Sequence, residues 1–504
     1  MDENDSSLKL IVKGAGIVLL GMFFSKFINY IYKIIVARGL GPEQFGMLSI
    51  GQSVLGIVGF ISLLGFEQGV ERFVGYFNNK EKVNSIVNTA FYIVIPFSLM
   101  LSFLVFFFSD YIALSFFKNS SLSRIIQVYA LIIPFYAVSE ILFAVCRGIK
   151  RIDYQFYFRD IGEGVFKLAI TVVLVLFGFG VFGASLAHLF AVVLSVFSIF
   201  IMLRRKKVLD KLFRYKLEPA LFSFSLPLLF ASAFFILTKW VDTVMLGYFK
   251  TEVEVGIYNA AASLANLIPT FAFAFNGLLI SVLSGLLHDH KTSEIRDIFN
   301  RVTAWNFYLT VPMVVVFFFF PSQIIRLLFG DVYVAGSFSF VLLTIGYFFS
   351  VLLGPTGQMI NIIGKTKLNL LTWLVGLVSN IVFNYLLIPK YGIVGAAIGT
   401  MLSLLILKIV SWVCVYAYIP VNPYNKGFFK SLLAVLLASL ILYFSGTISA
   451  SLISFVVSSF VFSAVYFFLL LLFKVPDQTD LKMIETVENK LKIKIFSRII
   501  RRFI

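Results

Sequence analysis

Five lysines, Lys26, Lys33, Lys167, Lys239 and Lys408, and four carboxylates, Glu140, Asp160, Glu163 and Asp242, fall inside long apolar runs of this sequence. A charge at the centre of a bilayer costs on the order of 2.5–3.5 kcal/mol even on a lenient scale, so such residues need partners, a watery cavity or a ligand. A desolvated ammonium suits an anion such as a phosphate. Carboxylates beside it can hold it while no anion is bound, or take up Na⁺ or H⁺ for coupling. The spacing sharpens this chemistry. Lys26 and Lys33 are seven apart and share one helix face. Asp160, Glu163 and Lys167 stand at i, i+3 and i+7, a polar stripe in which Glu163 and Lys167 can pair. Lys239 and Asp242 are neighbours at i, i+3, above a Pro227 that can kink their helix; a purely structural ion pair is the alternative reading for these two. Glu140 stands alone in its run. Lys33 and Lys408 lie toward the ends of theirs and can snorkel to the interface, whereas Lys26 and Lys167 sit near the middle, where snorkelling reaches poorly.

The elements that must position these residues are membrane helices. Of the 504 residues, 60% are hydrophobic and 13% charged, against about 25% charged in an ordinary soluble domain. Windows of roughly 20 apolar residues recur along the chain. Gly, Pro and charge breaks divide it into fourteen expected spans, 11–36, 46–65, 84–108, 124–146, 156–178, 181–203, 219–247, 255–286, 299–320, 336–362, 368–388, 391–418, 428–446 and 449–473. The fold class is an all-α polytopic membrane protein. The first run is too long for a signal-peptide core and lacks a small-residue cleavage site, so it reads as a retained span.

The basic residues test this count. With the N-terminus in the cytoplasm, 31 of the 42 Lys and Arg fall in cytoplasmic segments and 6 in outer ones, the asymmetry of the positive-inside rule. It places both termini in the cytoplasm. The same scatter over loop ends accounts for the net charge of +17 without nucleic acid.

Two echoes point to a duplication. "GFGVFGASLAHL" (178–189) matches "KYGIVGAAIGTM" (390–401), with Gly180, Gly183, Ala184 and Ala187 answering to Gly392, Gly395, Ala396 and Gly399. "ARGLGPEQFG" (37–46) matches the region 244–256 through Gly39 to Gly247 and Gly46 to Gly256. The repeat unit holds six spans, so its symmetry axis is expected along the membrane normal. The expected layout is a six-helix lobe at 1–203, a basic cytoplasmic linker at 204–218, a second six-helix lobe at 219–418, two extra helices at 419–473, and a basic amphipathic tail at 474–504.

Catalytic signatures are weak. "GKT" at 364–366 lacks the glycine five residues earlier, where Met359 stands. His188, His288 and His290 form no HExxH pattern, and Cys146 and Cys414 offer neither a disulfide framework nor a zinc spacing. No metal site, cofactor or enzymatic activity is expected.

The first span ending in "ARGLGPEQFG", the following "GFEQGVERFVGYF" (65–77), "KWVDTVMLGYFKTEVEVGIYNAA" (239–261) and "LIPKYGIVGAAIGT" (387–400) together resemble the polysaccharide transporter family. These are the Wzx-like oligosaccharide flippases of the multidrug/oligosaccharidyl-lipid/polysaccharide (MOP) exporter superfamily. The resemblance implies two MATE-like six-helix lobes around a cavity, with two added helices. It implies a cell-membrane transporter that flips a lipid-linked oligosaccharide, on a polyprenyl phosphate or diphosphate, by alternating access, for surface polysaccharide or glycoprotein assembly alongside glycan-assembly enzymes. Cations in the first, second, seventh and eighth spans tend to line the cavity in this family. That carries over to Lys26, Lys33, Arg72 and Lys239; the eighth span here has no internal Lys or Arg. Lys167 joins them from the residue reading, with Asp160, Glu163, Asp242 and Glu140 as charge partners or sites of Na⁺ or H⁺ coupling. Two alternatives stay open: a cation-coupled multidrug exporter of the same superfamily, and a membrane glycan polymerase or glycosyltransferase.

Overall fold

A computed structural model of the chain contains helices and no strand among the residues it describes, which are 2–77, 79–210, 218–270, 292–420, 426–444, 452–476 and 481. The main helices are α1 (Asp2–Ser62), α2 (Phe66–Tyr76), α3 (Lys80–Phe107), α4 (Leu122–Gly148), α5 (Gly164–Leu176), α6 (Gly180–Arg205) and α7 (Pro219–Phe249). After them come α8 (Glu252–Ala265), α9 (Thr292–Phe319), α10 (Ser337–Leu352), α11 (Thr356–Ile362), α12 (Thr366–Tyr418), α13 (Lys426–Phe444) and α14 (Leu452–Leu472). Among the described residues nine helical stretches are long and apolar enough to cross a membrane, or ten if the bent α7 counts as one span. The protein is a multi-pass, all-α membrane protein.

Glycine and proline set the breaks. α1 carries the first two expected spans and is interrupted at Gly41, with φ 78° and ψ 172°, directly before Pro42. This backbone conformation is open to glycine and strained for other residues. α12 carries the eleventh and twelfth and breaks at Gly392, φ 56°, three residues after Pro389. α7 bends by 43° between Leu229 and Ser232, just past Pro227, which lacks the amide the helix needs there. The tenth expected span is split into α10 and α11 around Gly354, φ 75°, and Pro355. A π-helical segment, Phe156–Glu163, opens the fifth.

The chain divides into two compact units, Met1–Ala260 with Leu377–Gly399, and Ala261–Gly376 with Thr400–Ile504. In the first, α4 is central and packs against α1, α2, α3 and α6; its Tyr129, Ile132, Ile133 and Phe143 are fully buried. α7 runs along α1 and α2. In the second, α9 packs against α10, α13 and α14, and Ile295, Phe299, Val302, Met359, Ile360, Val415 and Ile419 form a buried apolar cluster.

Candidate functional site

Lys167 anchors the site. It lies buried one turn into α5, its Nζ 3.3 Å from Asn29 Oδ1 and 4.4 Å from the centre of the Tyr32 ring. Asn29 is held in turn by its own amide, which donates to the Ser25 carbonyl one turn back in α1 at 3.0 Å. An amide oxygen and an aromatic face are neutral partners, so they orient the ammonium without cancelling its charge. Lys33 comes within Coulombic range of both Lys167 and Lys239, and Lys26 of Lys239. Lys239 sits over the Phe235 ring at 5.3 Å. Ammoniums from α1, α5 and α7 thus repel one another pairwise, from buried Lys167 through part-buried Lys26 and Lys33 to exposed Lys239, and an anion relieves that repulsion. Lys33 faces this group, although its place near a span end suggested snorkelling.

The carboxylates are arranged otherwise than their spacing suggested. Glu140 is paired with Arg159, through Arg159 Nη1 donating to Oε2 at 3.0 Å and a second contact from Nη2 to Oε1, and Glu140 is buried. Sequence reasoning left it alone because its partner is nineteen residues away on the next hairpin arm. Glu163 and Lys167 attract each other electrostatically, as their spacing suggested, but the hydrogen bond of Lys167 goes to Asn29, and Arg159 acts on Glu163 more strongly than Lys167 does. The reason is local. Residues 156–163 wind as a π-helix, whose wider turn shifts side chains off the 3.6-residue stripe. Asp160 lies on the same segment, within range of Arg159, Glu140 and Arg147. Arg147 donates to Glu71 Oε2 at 2.6 Å and to Gln155 Oε1 at 2.9 Å, tying α2 to α4.

Asp242 forms a separate cluster. It is buried and accepts hydrogen bonds from Tyr258 Oη to Oδ2 at 2.7 Å, from Asn384 Nδ2 to Oδ1 at 2.7 Å and from Asn380 Nδ2 to Oδ1 at 3.1 Å. The expected neighbour Lys239 points to Phe235 instead. Asn384 also donates to Asn380 Oδ1 at 3.3 Å, while its own Oδ1 is buried without a hydrogen-bond partner, against Gly399, where a Cβ would overlap it. Neutral donors around a carboxylate leave its negative charge in place. The acceptor oxygens of Asp242, Asn380 and Asn384 are the ligand type that Na⁺ takes. Tyr258, Asn380 and Asn384 were missed from sequence. Two asparagines one helical turn apart inside an apolar run were the available signal.

With this geometry in hand, comparison with known proteins is decisive. The family model described as "Polysaccharide biosynthesis protein" matches residues 35–336, more than half of the chain. The chain belongs to the polysaccharide biosynthesis protein family. Its resemblance to the Wzx-like flippases of the MOP superfamily therefore stands. It is 25% identical to a candidate O-antigen transporter of Shigella flexneri over 72% of this chain and 88% of the relative. It is 24% identical to a candidate low-salt glycan biosynthesis flippase, Agl15, of Haloferax volcanii over 80% and 81%. These relatives are named as transporters and flippases, not as enzymes. In fold it matches an inward closed lipid II flippase MurJ with a TM-score of 0.74 at 16% identity, over 90% of this chain and 98% of that one. An inward-facing MATE transporter of the MOP superfamily matches with a TM-score of 0.62 at 17% identity, over 78% and 94%.

In this polysaccharide biosynthesis protein the remaining expected residues stand apart from the lysine group. Arg72 is exposed on α2, its guanidinium 4.5 Å from the centre of the Phe224 ring. Lys408 does not snorkel: its Nζ donates to the Gly354 carbonyl at 3.2 Å, where α10 ends. A cation there meets the negative end of a helix. His188 packs edge-on against Tyr129. Cys146 and Cys414 are free. His288, His290, residues 211–217 of the basic linker and nearly all of the basic tail lie outside the described residues.

Proposed function

We propose that this protein flips a lipid-linked oligosaccharide across the cell membrane by alternating access, for surface polysaccharide or glycoprotein assembly. The observation that carries this reading is the chain of like charges from three helices, Lys26 with Lys239, Lys239 with Lys33 and Lys33 with Lys167. A polyprenyl phosphate or diphosphate head group is the kind of anion that such a group of ammoniums attracts. Asn29 and Tyr32 orient Lys167, and Glu163 can hold it while no anion is bound. Arg72, exposed on a different helix, acts earlier, drawing the head group toward the lysines. The names of the relatives support the cargo class.

Asp242, with Asn380, Asn384 and Tyr258, is the site at which Na⁺ or H⁺ couples to transport. Glu140, Asp160 and Glu163 act as charge partners that keep Arg159 and the π-helical segment in place. In this reading the chain crosses the membrane fourteen times with both termini in the cytoplasm. It has six-helix lobes at 1–203 and 219–418, helices 13 and 14 at 419–473, and a basic tail at 474–504 on the anionic inner leaflet. A drug exporter of the same superfamily is disfavoured because a lysine group repels cationic drugs.

The deciding experiment reconstitutes the purified protein in proteoliposomes with defined lipid-linked glycans, with and without a Na⁺ or proton gradient. Flipping of a polyprenyl-diphosphate glycan, accelerated by one gradient, is the expected result. Export of a cationic drug without glycan flipping would overturn it.

A further inference from the structure

The stretch "FRDIGEGVFK" (158–167) sets a glycine on each side of Glu163, where the π-helical segment Phe156–Glu163 gives way to α5. Turns of this kind are uncommon and concentrate at functional sites. Both glycines are required by their surroundings. A Cβ at Gly162 would stand 2.9 Å from the Tyr157 carbonyl oxygen, five residues back, and one at Gly164 would stand 3.0 Å from Ile28 Cγ2 of α1. The first contact belongs to the wide turn, in which an amide faces the carbonyl five residues before it. The second brings α1 close to α5 beside the place where Asn29 meets Lys167. A further support comes from α6: buried Ser195 donates through Oγ to the Phe158 carbonyl, inside the π-helical segment, at 3.1 Å.

In an unbroken α-helix Asp160 would share the face of Lys167, since seven residues return the chain to within about 20° of the same direction. The polar stripe read from the sequence rests on that spacing. A turn that takes up one residue more rotates the preceding residues by about 100° relative to those that follow, and Asp160 leaves the Lys167 face. It comes instead within range of Arg159, Glu140 and Arg147, whereas the carboxylate that acts on Lys167 is Glu163. The same rotation lets Arg159 reach Glu140 on α4 while Lys167 reaches Asn29 on α1. With Glu163 already attracting the ammonium, a second carboxylate on that face would more than cancel the charge an anion needs.

We propose that Gly162 and Ser195 are positioning residues: they hold the π turn that keeps Asp160 off the Lys167 face, and so leave Lys167 open to an anionic head group. The identity of the anion rests on the transport reading, whereas the winding of the segment is tested without any substrate.

Gly162→Ala removes the residue that the wide turn requires and favours α winding; Ser195→Ala removes its brace more gently. Two measurements on the full chain in detergent follow. The first reads the winding. Arg159→Met should lower the melting temperature of the parent, where it strands buried Glu140, and should lower it far less in Gly162→Ala, where Arg159 has already left Glu140. Equal losses in the two backgrounds overturn the proposal. The second reads the charge, with farnesyl diphosphate as the probe. Its affinity should fall about tenfold in Gly162→Ala, the effect of one opposite charge brought near, and return to within about threefold of the parent when Asp160→Asn is added. A merely structural role for Gly162 would not be rescued by removing a charge, so failure of Asp160→Asn to restore binding also overturns the proposal. Should Gly162→Ala fail to fold, Ser195→Ala, alone and with Asp160→Asn, carries both measurements with smaller effects of the same sign. Absence of farnesyl diphosphate binding in the parent, with the Arg159→Met difference intact, would sink the head-group reading and the role given to Lys167, and leave the winding assignment standing.

Discussion

Gly46 and Gly256 meet with no room for a side chain on either. A Cβ on Gly46 would overlap the Glu252 carbonyl and touch the Gly256 amide; a Cβ on Gly256 would overlap the Pro42 carbonyl and touch the Gly46 amide. The contact is reciprocal: Pro42 and Glu252, like Gly46 and Gly256, are 210 positions apart. These are the glycines that answered to each other in the sequence echo. Side chains at either position force the second half of α1 away from α8. Gly46→Ala and Gly256→Ala should each lower stability by about 1–3 kcal/mol, the usual cost of overpacking. Gly39→Ala, with open space around it, should change little. Thermal unfolding in detergent separates the three.

Neutralising the lysine group should remove transport while sparing the fold. Lys26→Gln, Lys167→Gln and Lys239→Gln each remove one charged hydrogen-bond donor, worth about 1.5–3 kcal/mol toward an anion, hence roughly tenfold to a hundredfold in flipping rate. Because each substitution also relieves repulsion, expression and thermal stability should hold or rise. Unchanged flipping in all three would remove the head-group assignment.

Asp242→Asn should abolish any dependence of flipping on the ion gradient. Wild-type protein should melt higher in NaCl than in choline chloride at equal ionic strength, and the difference should vanish in Asp242→Asn and shrink in Asn384→Ala. A sodium-independent melting point combined with a proton-dependent rate would assign the coupling to H⁺.

The Glu140–Arg159 pair calls for a double-mutant cycle. Removing one partner strands a buried charge, so Arg159→Met should destabilise by about 3–5 kcal/mol, and Glu140→Leu in that background should recover most of the loss. If the losses simply add, the pair contributes no coupling of its own.

Glu67 sets a pH dependence of stability with a definite sign. Burial pushes its folded-state value up to about 7, above that of an ordinary carboxyl. As pH falls through 7 the folded protein takes up a proton that the unfolded chain does not bind until lower pH, so stability rises over that window. Melting temperature followed from pH 8 to pH 5 should climb in wild type relative to Glu67→Gln, whose curve lacks this contribution.

Composition, apolar run length and proline placement were enough to determine an all-α, multi-pass membrane protein and the bend near Pro227. These follow from local rules: lipid requires satisfied backbones, and only certain residues interrupt a helix. Tertiary structure decided the partners. Glu140 found Arg159, Lys167 found Asn29 and Tyr32, Lys408 found the Gly354 carbonyl, and Asp242 gathered Tyr258, Asn380 and Asn384. Spacing along one helix could not foresee these contacts, since a buried charge is satisfied by whichever group from a neighbouring helix reaches it, and a π-helical turn redirects the side chains it carries.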